Sequence, residues 1–82
     1  MKPLRVVVVD DEELARAVVR EHLAAHPGIE IVAECANGIE AIEAVAALAP
    51  DLVFLDVQMP RLTGFETLEL LDPRPAVVFV TA

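Results

Sequence analysis

The sequence predicts an α/β fold in which helices cover a parallel sheet. Short apolar runs alternate with stretches whose apolar residues recur at helical spacing, in the order βαβαβαβ. The run Val53–Leu55 combines β-branched, aromatic and aliphatic residues without a polar interruption, which is typical of a strand buried on both faces. The composition is 56% hydrophobic but only 4% aromatic, so the predicted core is aliphatic.

The first predicted unit is a strand followed by a helix. Leu4–Val9 is an apolar run interrupted only by Arg5, and the pair Asp10 and Asp11 follows it directly. The next stretch opens with acidic residues, which favour the positive end of a helix dipole. Its apolar residues recur at helical spacing, namely Leu14, Ala15, Val18, Val19 and Leu23. A His-Pro-Gly sequence then ends the helix.

The second unit begins with a strand of mixed polarity. Ile29–Cys35 places Glu among apolar residues, which predicts a half-exposed strand at a sheet edge. Asn37 and Gly38 form a turn and a candidate helix cap. The following helix carries an apolar stripe made of Ile39, Ile42, Val45, Ala46 and Ala49.

The third unit places a carboxylate at the end of the most apolar strand. Asp56 follows that strand, and the Met-Pro dipeptide soon after it prevents the strand from extending further. Gly64 indicates a flexible loop, after which Phe65, Leu68 and Leu71 mark a third helix. Ala76–Val80 is a fourth strand. In open α/β sheets ligands bind outside the carboxyl ends of the strands, so Asp56 is the first functional candidate.

Length and charge limit the classes of function. A chain of 82 residues forms one domain at most and buries roughly 60% of its unfolded surface. The net charge of -8 argues against binding of nucleic acid or anionic lipid by this segment. The single cysteine excludes an internal disulfide, and no apolar stretch approaches the ~20 residues that span a bilayer. These features predict a soluble, cytoplasmic chain.

Three features in this order resemble the receiver domain of bacterial response regulators. They are Val9-Asp10-Asp11 after the first strand, Asp56-x-x-Met59-Pro60-x-x-x-Gly64 after the third, and Thr81-Ala82 after the fourth. The resemblance covers essentially the whole chain. It implies a flavodoxin-like, CheY-like doubly wound parallel sheet of strand order 2-1-3-4-5.

The resemblance also implies the roles of the site residues. Asp56 would be the phosphoryl acceptor, and Thr81 would hydrogen-bond a phosphoryl oxygen. Mg²⁺ would be bound by Asp11, Asp56 and the backbone carbonyl of Gln58, with Asp10 assisting through water. Three carboxylates at adjacent strand ends repel one another unless a cation or protons offset their charge. Mg²⁺ prefers such oxygen ligands.

This sequence departs from the family pattern after the fourth strand. The resemblance implies a further helix, strand and helix, so residues 1–82 are interpreted as a truncated, incomplete receiver domain. The family places a lysine at the end of its fifth strand, and Lys2, the only lysine here, cannot match it.

The same topology leaves one face of the sheet covered by the first helix alone. Apolar side chains of the third and fourth strands would be exposed there, and the fourth strand would form an open edge. We therefore expect the 82-residue chain to form a homo-oligomer through this surface.

Three functions compete. The first is a phosphoacceptor signalling domain of a two-component system, which is a switch and not an enzyme acting on a separate substrate. Its phosphodonor would be a sensor histidine kinase or a small acyl phosphate. The second is an association or kinase-docking module that keeps the fold without phosphotransfer. The third, an aspartyl-phosphate phosphatase of the haloacid-dehalogenase type, needs an Asp where Gln58 stands.

Each candidate residue also has a purely structural interpretation. Taken singly, Asp10, Asp11 and Asp56 also fit solvated acids at strand ends or helix N-caps. Thr81 alone also fits a simple strand-end residue. The functional interpretation depends on the acids occurring together.

Overall fold

A computed structural model describes residues 2–80, and the order of its elements is the predicted one. The strands are β1 (Leu4–Val9), β2 (Ile29–Cys35), β3 (Leu52–Asp56) and β4 (Ala76–Val80). The helices between them are α1 (Glu13–Ala24), α2 (Gly38–Leu48) and α3 (Gly64–Leu70). Across residues 2–80, every helix is too short or too polar to cross a membrane.

The strands form one parallel sheet in the order β2-β1-β3-β4. This order confirms the predicted doubly wound, CheY-like fold up to the fourth strand. β1 lies inside the sheet, and its residues Val6–Val9 are at most 1% exposed. The edge strand β2 is mostly half-exposed, as its mixed polarity predicts. The pairing of Val9 with Leu55 brings the carboxyl ends of β1 and β3 side by side.

Alternation along the strands divides the apolar side chains between two faces of the sheet. On one face Val7, Val9, Val53 and Leu55 pack with residues of α2 and with the segments that flank α3. The opposite face carries Val6 and Val8, and there α1 lies over β1 and β2. Alternation places Phe54 and Val78 on this second face. Phe54 is partly buried and Val78 is 44% exposed, so the predicted exposure of this face is observed at β4.

The predicted apolar stripe of α2 is wrong in part. Ile39 is 59% exposed, whereas Gly38, Ala41 and Val45 are buried. Gly38 lies so close to Thr67 of α3 that a Cβ at this glycine would collide with the Thr67 hydroxyl. Gly38 and Ala41 therefore face the neighbouring elements, and Ile39 is rotated out to solvent.

The predicted stripe of α1 is also only partly buried. Leu14 and Val18 are 80% and 52% exposed, while Ala15, Val19 and Leu23 are half-buried. At 100° per residue, Leu14 and Val18 lie about 180° and about 140° around the helix from Leu23, so they miss the sheet when Leu23 faces it.

An acidic candidate site at the carboxyl edge of the sheet

Three aspartates meet where β1 and β3 end. Asp10 follows the last residue of β1, and Asp56 is the last residue of β3. Because the two strands are parallel neighbours, their carboxyl ends lie at the same edge, and Asp11 adds a third acid. One carboxylate oxygen from each of Asp10, Asp11 and Asp56 lies within 4.8 Å of the others. The predicted cluster of acids is therefore present.

Asp10 is held through its main chain and its side chain. Its N–H donates to the Cys35 carbonyl at 3.0 Å, which extends the β1–β2 ladder by one residue. Its carbonyl accepts from Arg16 Nη1 at 2.7 Å. Its Oδ1 accepts from the N–H of Glu12 at 2.9 Å. These bonds fix the loop that carries the first two acids.

Asp56 is held by the loop that follows it. Its Oδ1 accepts from the N–H of Gln58 at 3.1 Å. Gly64, the first residue of α3, donates its N–H to the Val57 carbonyl at 3.1 Å. A Cβ at Gly64 would collide with the carbonyl oxygen of Asp56. Only glycine lets α3 start this close to the strand end.

The helix that Gly64 begins has a complete N-terminal cap. Thr63 accepts from the N–H of Glu66 at 3.2 Å, and the Glu66 carboxylate accepts from the N–H of Thr63 at 3.0 Å. This reciprocal capping box explains why so short a helix forms at a defined residue. Behind the site, the rings of Phe65 and Phe79 pack with centroids 4.8 Å apart and tie α3 to β4.

The environment of Asp56 disfavours its charged form. Partial burial raises the pKa of Asp56 above its ordinary value, and the nearby charges of Asp10 and Asp11 raise it further. The hydrogen bond from the Gln58 N–H acts in the opposite direction but does not reverse the shift in pKa. A cation bound among these oxygens would therefore stabilise the charged carboxylates.

The structure brings Asp10, Asp11 and Asp56 together and gives two further residues, Arg16 and Gly64, a role at the site. Gln58 is exposed and contributes its N–H to Asp56. Thr81 lies outside the described residues. Arg16 was missed, although an arginine in the first turns of a helix that directly follows two acids is a usable signal. Gly64 was interpreted as a flexible loop residue, yet it is needed for close packing.

The fold and the site are thus a parallel sheet of order β2-β1-β3-β4 with an acidic cluster at its carboxyl edge. The family model of the response regulator receiver domain matches residues 6–82. The chain belongs to this family.

Two curated relatives show how similar this chain is to known regulators. An uncharacterized response regulatory protein of Yersinia pestis is 57% identical over 81 residues, which are 96% of this chain and 34% of that protein. The transcriptional regulatory protein BtsR of Escherichia coli K12 is 52% identical over 81 residues, with the same coverage of 96% and 34%. The chain thus spans 34% of the length of these relatives.

Solved structures of receiver domains superpose closely on the chain. The response regulator domain of Thermotoga maritima CheB is 34% identical, with a TM-score of 0.90 over 98% of this chain and 61% of that one. The receiver domain of the putative response regulator NarL of Mycobacterium tuberculosis is 30% identical, with a TM-score of 0.91 over 100% of this chain and 68% of that one. A chain of the CheX-CheY-BeF3-Mg²⁺ complex from Borrelia burgdorferi is 26% identical, with a TM-score of 0.90 over 99% of this chain and 63% of that one.

Proposed function

We propose that residues 1–82 are the N-terminal part of a receiver domain that accepts a phosphoryl group on Asp56 with the help of Mg²⁺. The observation that carries this proposal is the convergence of the Asp10, Asp11 and Asp56 oxygens within 4.8 Å of one another. The domain would act as a switch in a two-component system and would not turn over a separate substrate.

The donor set fits Mg²⁺. All three side chains offer carboxylate oxygen, which a hard divalent cation prefers, and the charges of Asp10 and Asp11 add to the burial that raises the pKa of Asp56. Asp11, Asp56 and the Gln58 carbonyl would hold the ion, with Asp10 assisting through water. When bound, the ion would neutralise charge on the phosphoryl group. The Borrelia burgdorferi CheY complex, a structural neighbour, contains both BeF3 and Mg²⁺.

The chain's own residues would orient and carry out the transfer. An oxygen of the Asp56 carboxylate would form the new bond to phosphorus, while the Gln58 N–H holds that carboxylate in place. The bond from phosphorus to the donor atom would break, and the donor would leave with its electron pair. The donor would be a phosphohistidine or an acyl phosphate. Thr81 would hydrogen-bond an oxygen of the phosphoryl group.

The partners follow from the same proposal. A sensor histidine kinase would supply the phosphoryl group in the cytoplasm. The net charge of -8 disfavours contact of this segment with nucleic acid. Because the BtsR relatives are named transcriptional regulatory proteins, we propose that the phosphorylated domain regulates transcription through another part of the protein.

Intact mass tests the proposed phosphorylation. We expect the chain, incubated with acetyl phosphate and Mg²⁺, to gain the mass of one phosphoryl group. The same incubation with EDTA in excess over Mg²⁺ should leave the mass unchanged, because the acidic cluster then lacks its cation. A folded chain that gains no mass in Mg²⁺ would contradict the proposal.

A second candidate function is an association module, favoured by exposed apolar side chains. Val78 is 44% exposed on the α1 face of the sheet, and Leu14 and Val18 of α1 are 80% and 52% exposed. Exposed apolar side chains that gather into a patch mark sites of interaction. In this alternative the domain docks a kinase or a second copy without accepting phosphate.

Sedimentation velocity tests the association of the 82-residue chain. We expect a concentration-dependent increase in sedimentation coefficient, and we expect Val78→Ser to reduce it because serine removes apolar surface from the α1 face. Ile39→Ser is the matched control, since Ile39 is 59% exposed on the helix that covers the opposite face. A monodisperse monomer at all concentrations would refute self-association.

A further inference from the structure

Arg16 of α1 reaches back to the acidic loop. Its Nη1 donates to the carbonyl oxygen of Asp10 at 2.7 Å, although six residues separate the two along the chain. Its Nε lies 3.7 Å from Oε1 of Glu34 on β2. The side chain of Arg16 is only 17% exposed, so water competes weakly for these contacts.

The contact to Asp10 controls the direction of the chain at Asp11. The Asp10 carbonyl belongs to the planar peptide unit that also contains the nitrogen of Asp11. The preceding peptide unit is already fixed, because the N–H of Asp10 donates to Cys35 at 3.0 Å. Arg16 therefore orients the peptide unit between Asp10 and Asp11. The orientation of that unit determines the position of the Asp11 Cα, from which the carboxylate extends.

A second arginine, Arg20, bonds Glu34, the acid that also pairs with Arg16, and its hydrogen bonds do not include the loop that carries Asp10 and Asp11. Arg20 Nη1 donates to both carboxylate oxygens of Glu34 at 2.8 Å. The side chain of Arg20 is 51% exposed, and its hydrogen bonds go to Glu34. The two arginines thus share one acid, but only Arg16 bonds the Asp10 carbonyl. Arg20 is a matched control for the charge and the ion pair.

We propose that Arg16 is a positioning residue that orients the Asp10–Asp11 peptide so that both carboxylates converge on a divalent cation. This inference rests on the proposed function, because the cation is the one that assists phosphorylation. Arg16 itself would not contact the cation, and it would affect cation binding only by positioning Asp10 and Asp11. Residues that orient metal ligands typically change metal affinity by about 10- to 100-fold when they are replaced.

Calorimetric titration of the full chain with Mg²⁺ measures this effect. We expect Arg16→Met to weaken Mg²⁺ binding about tenfold, since the Asp10 carbonyl loses its donor. Arg16→Lys should give an affinity between those of Met and Arg, because an ammonium cannot reproduce the guanidinium fork. Arg20→Met should leave the affinity unchanged. Circular dichroism melting establishes that each variant is folded at the temperature of titration.

Phosphorylation by acetyl phosphate at varied Mg²⁺ provides a second readout. For Arg16→Met we expect the Mg²⁺ concentration at half-maximal rate to rise about tenfold while the maximal rate stays close to that of the wild type. A purely structural role would lower the melting temperature without this shift.

The outcomes separate the two proposals. Wild-type chain that binds no Mg²⁺ overturns the proposed function and this inference with it. Wild-type binding that is matched by Arg16→Met overturns the role of Arg16 alone. If Arg16→Met does not fold, Arg16→Lys decides, and wild-type affinity in that variant overturns the inference.

Discussion

Replacing Asp56 by asparagine is expected to abolish phosphorylation of the chain by acetyl phosphate. The asparagine side chain has nearly the same shape and still presents an oxygen to the Gln58 N–H, but it lacks the anionic oxygen that attacks phosphorus. Intact mass after incubation with acetyl phosphate and Mg²⁺ measures the result. We expect one added phosphoryl group in the wild type and none in Asp56→Asn.

The control for this substitution is Asp51→Asn, just before the other end of the same strand. Asp51 Oδ2 accepts from the N–H of Arg5 at 2.9 Å, and an asparagine oxygen can replace it as acceptor. Phosphorylation should therefore persist in Asp51→Asn. Retained phosphorylation of Asp56→Asn would show that another residue is the acceptor.

The same substitution should also stabilise the chain at neutral pH without Mg²⁺. Partial burial and the neighbouring acids raise the pKa of Asp56, so the folded state binds this proton more tightly than the unfolded chain does. The contribution of Asp56 to stability is then present at low pH and is lost as pH rises through the raised pKa. At pH 7 the charged carboxylate destabilises the fold, and asparagine removes that charge.

Thermal melting at a series of pH values tests the direction of this change in stability. In Mg²⁺-free buffer we expect Asp56→Asn to have a higher melting temperature than the wild type at pH 7. The difference should shrink as pH falls through the raised pKa of Asp56 and should be smallest below the ordinary aspartate pKa of about 3.9, where position 56 is neutral in both chains. A lower melting temperature for the variant at pH 7 would contradict the assigned direction.

Gly64→Ala is expected to destabilise the fold and to impair the acceptor together. The new Cβ would collide with the carbonyl oxygen of Asp56 and approach the Cα of Val57 to 3.0 Å. Both are backbone atoms, so the contact cannot be relieved by a side-chain rotation. Overpacking of this kind costs about 1–3 kcal/mol, and each kcal/mol lowers the melting temperature of a domain this size by about 4–8 °C. Phosphorylation should slow because the strand end that carries Asp56 moves.

Gly28→Ala is the matched control for Gly64→Ala. Nothing lies within 4 Å of a Cβ built at Gly28, and the described glycines all lack positive φ. We expect its unfolding free energy to stay within about 0.5 kcal/mol of the wild type. Equal melting temperatures for Gly64→Ala and the wild type would show that the start of α3 can shift away from Asp56 at little cost.

The sequence by itself determined the order of the elements and the composition of the candidate site. Alternating apolar runs and helical spacing are local properties, and they predicted β2 as Ile29–Cys35 and β4 as Ala76–Val80 with the observed bounds. The convergence of Asp10 and Asp56 was expected from the resemblance to receiver domains, which implies that the first and third strands are neighbours, as the structure shows. Parallel strands bring their carboxyl ends to one edge, so acids that end two neighbouring strands must meet there.

Only the tertiary structure decided which side of each helix is buried. A spacing of three or four residues defines a stripe, but the rotation of the helix about its axis depends on the shape of its neighbours. Ile39 is therefore exposed, while Gly38 and Ala41 meet the rest of the fold.

The supports of the acidic site were likewise decided by the tertiary structure. Arg16 lies in the first turn of α1, and its side chain bonds the Asp10 carbonyl in the loop that precedes the helix. Gly64 is required because α3 begins against the end of β3. Both contacts depend on how closely the start of a helix lies against the strand end that precedes it. Local sequence patterns identify which acidic residues form the site. The packing of the helices and strands determines where those residues lie.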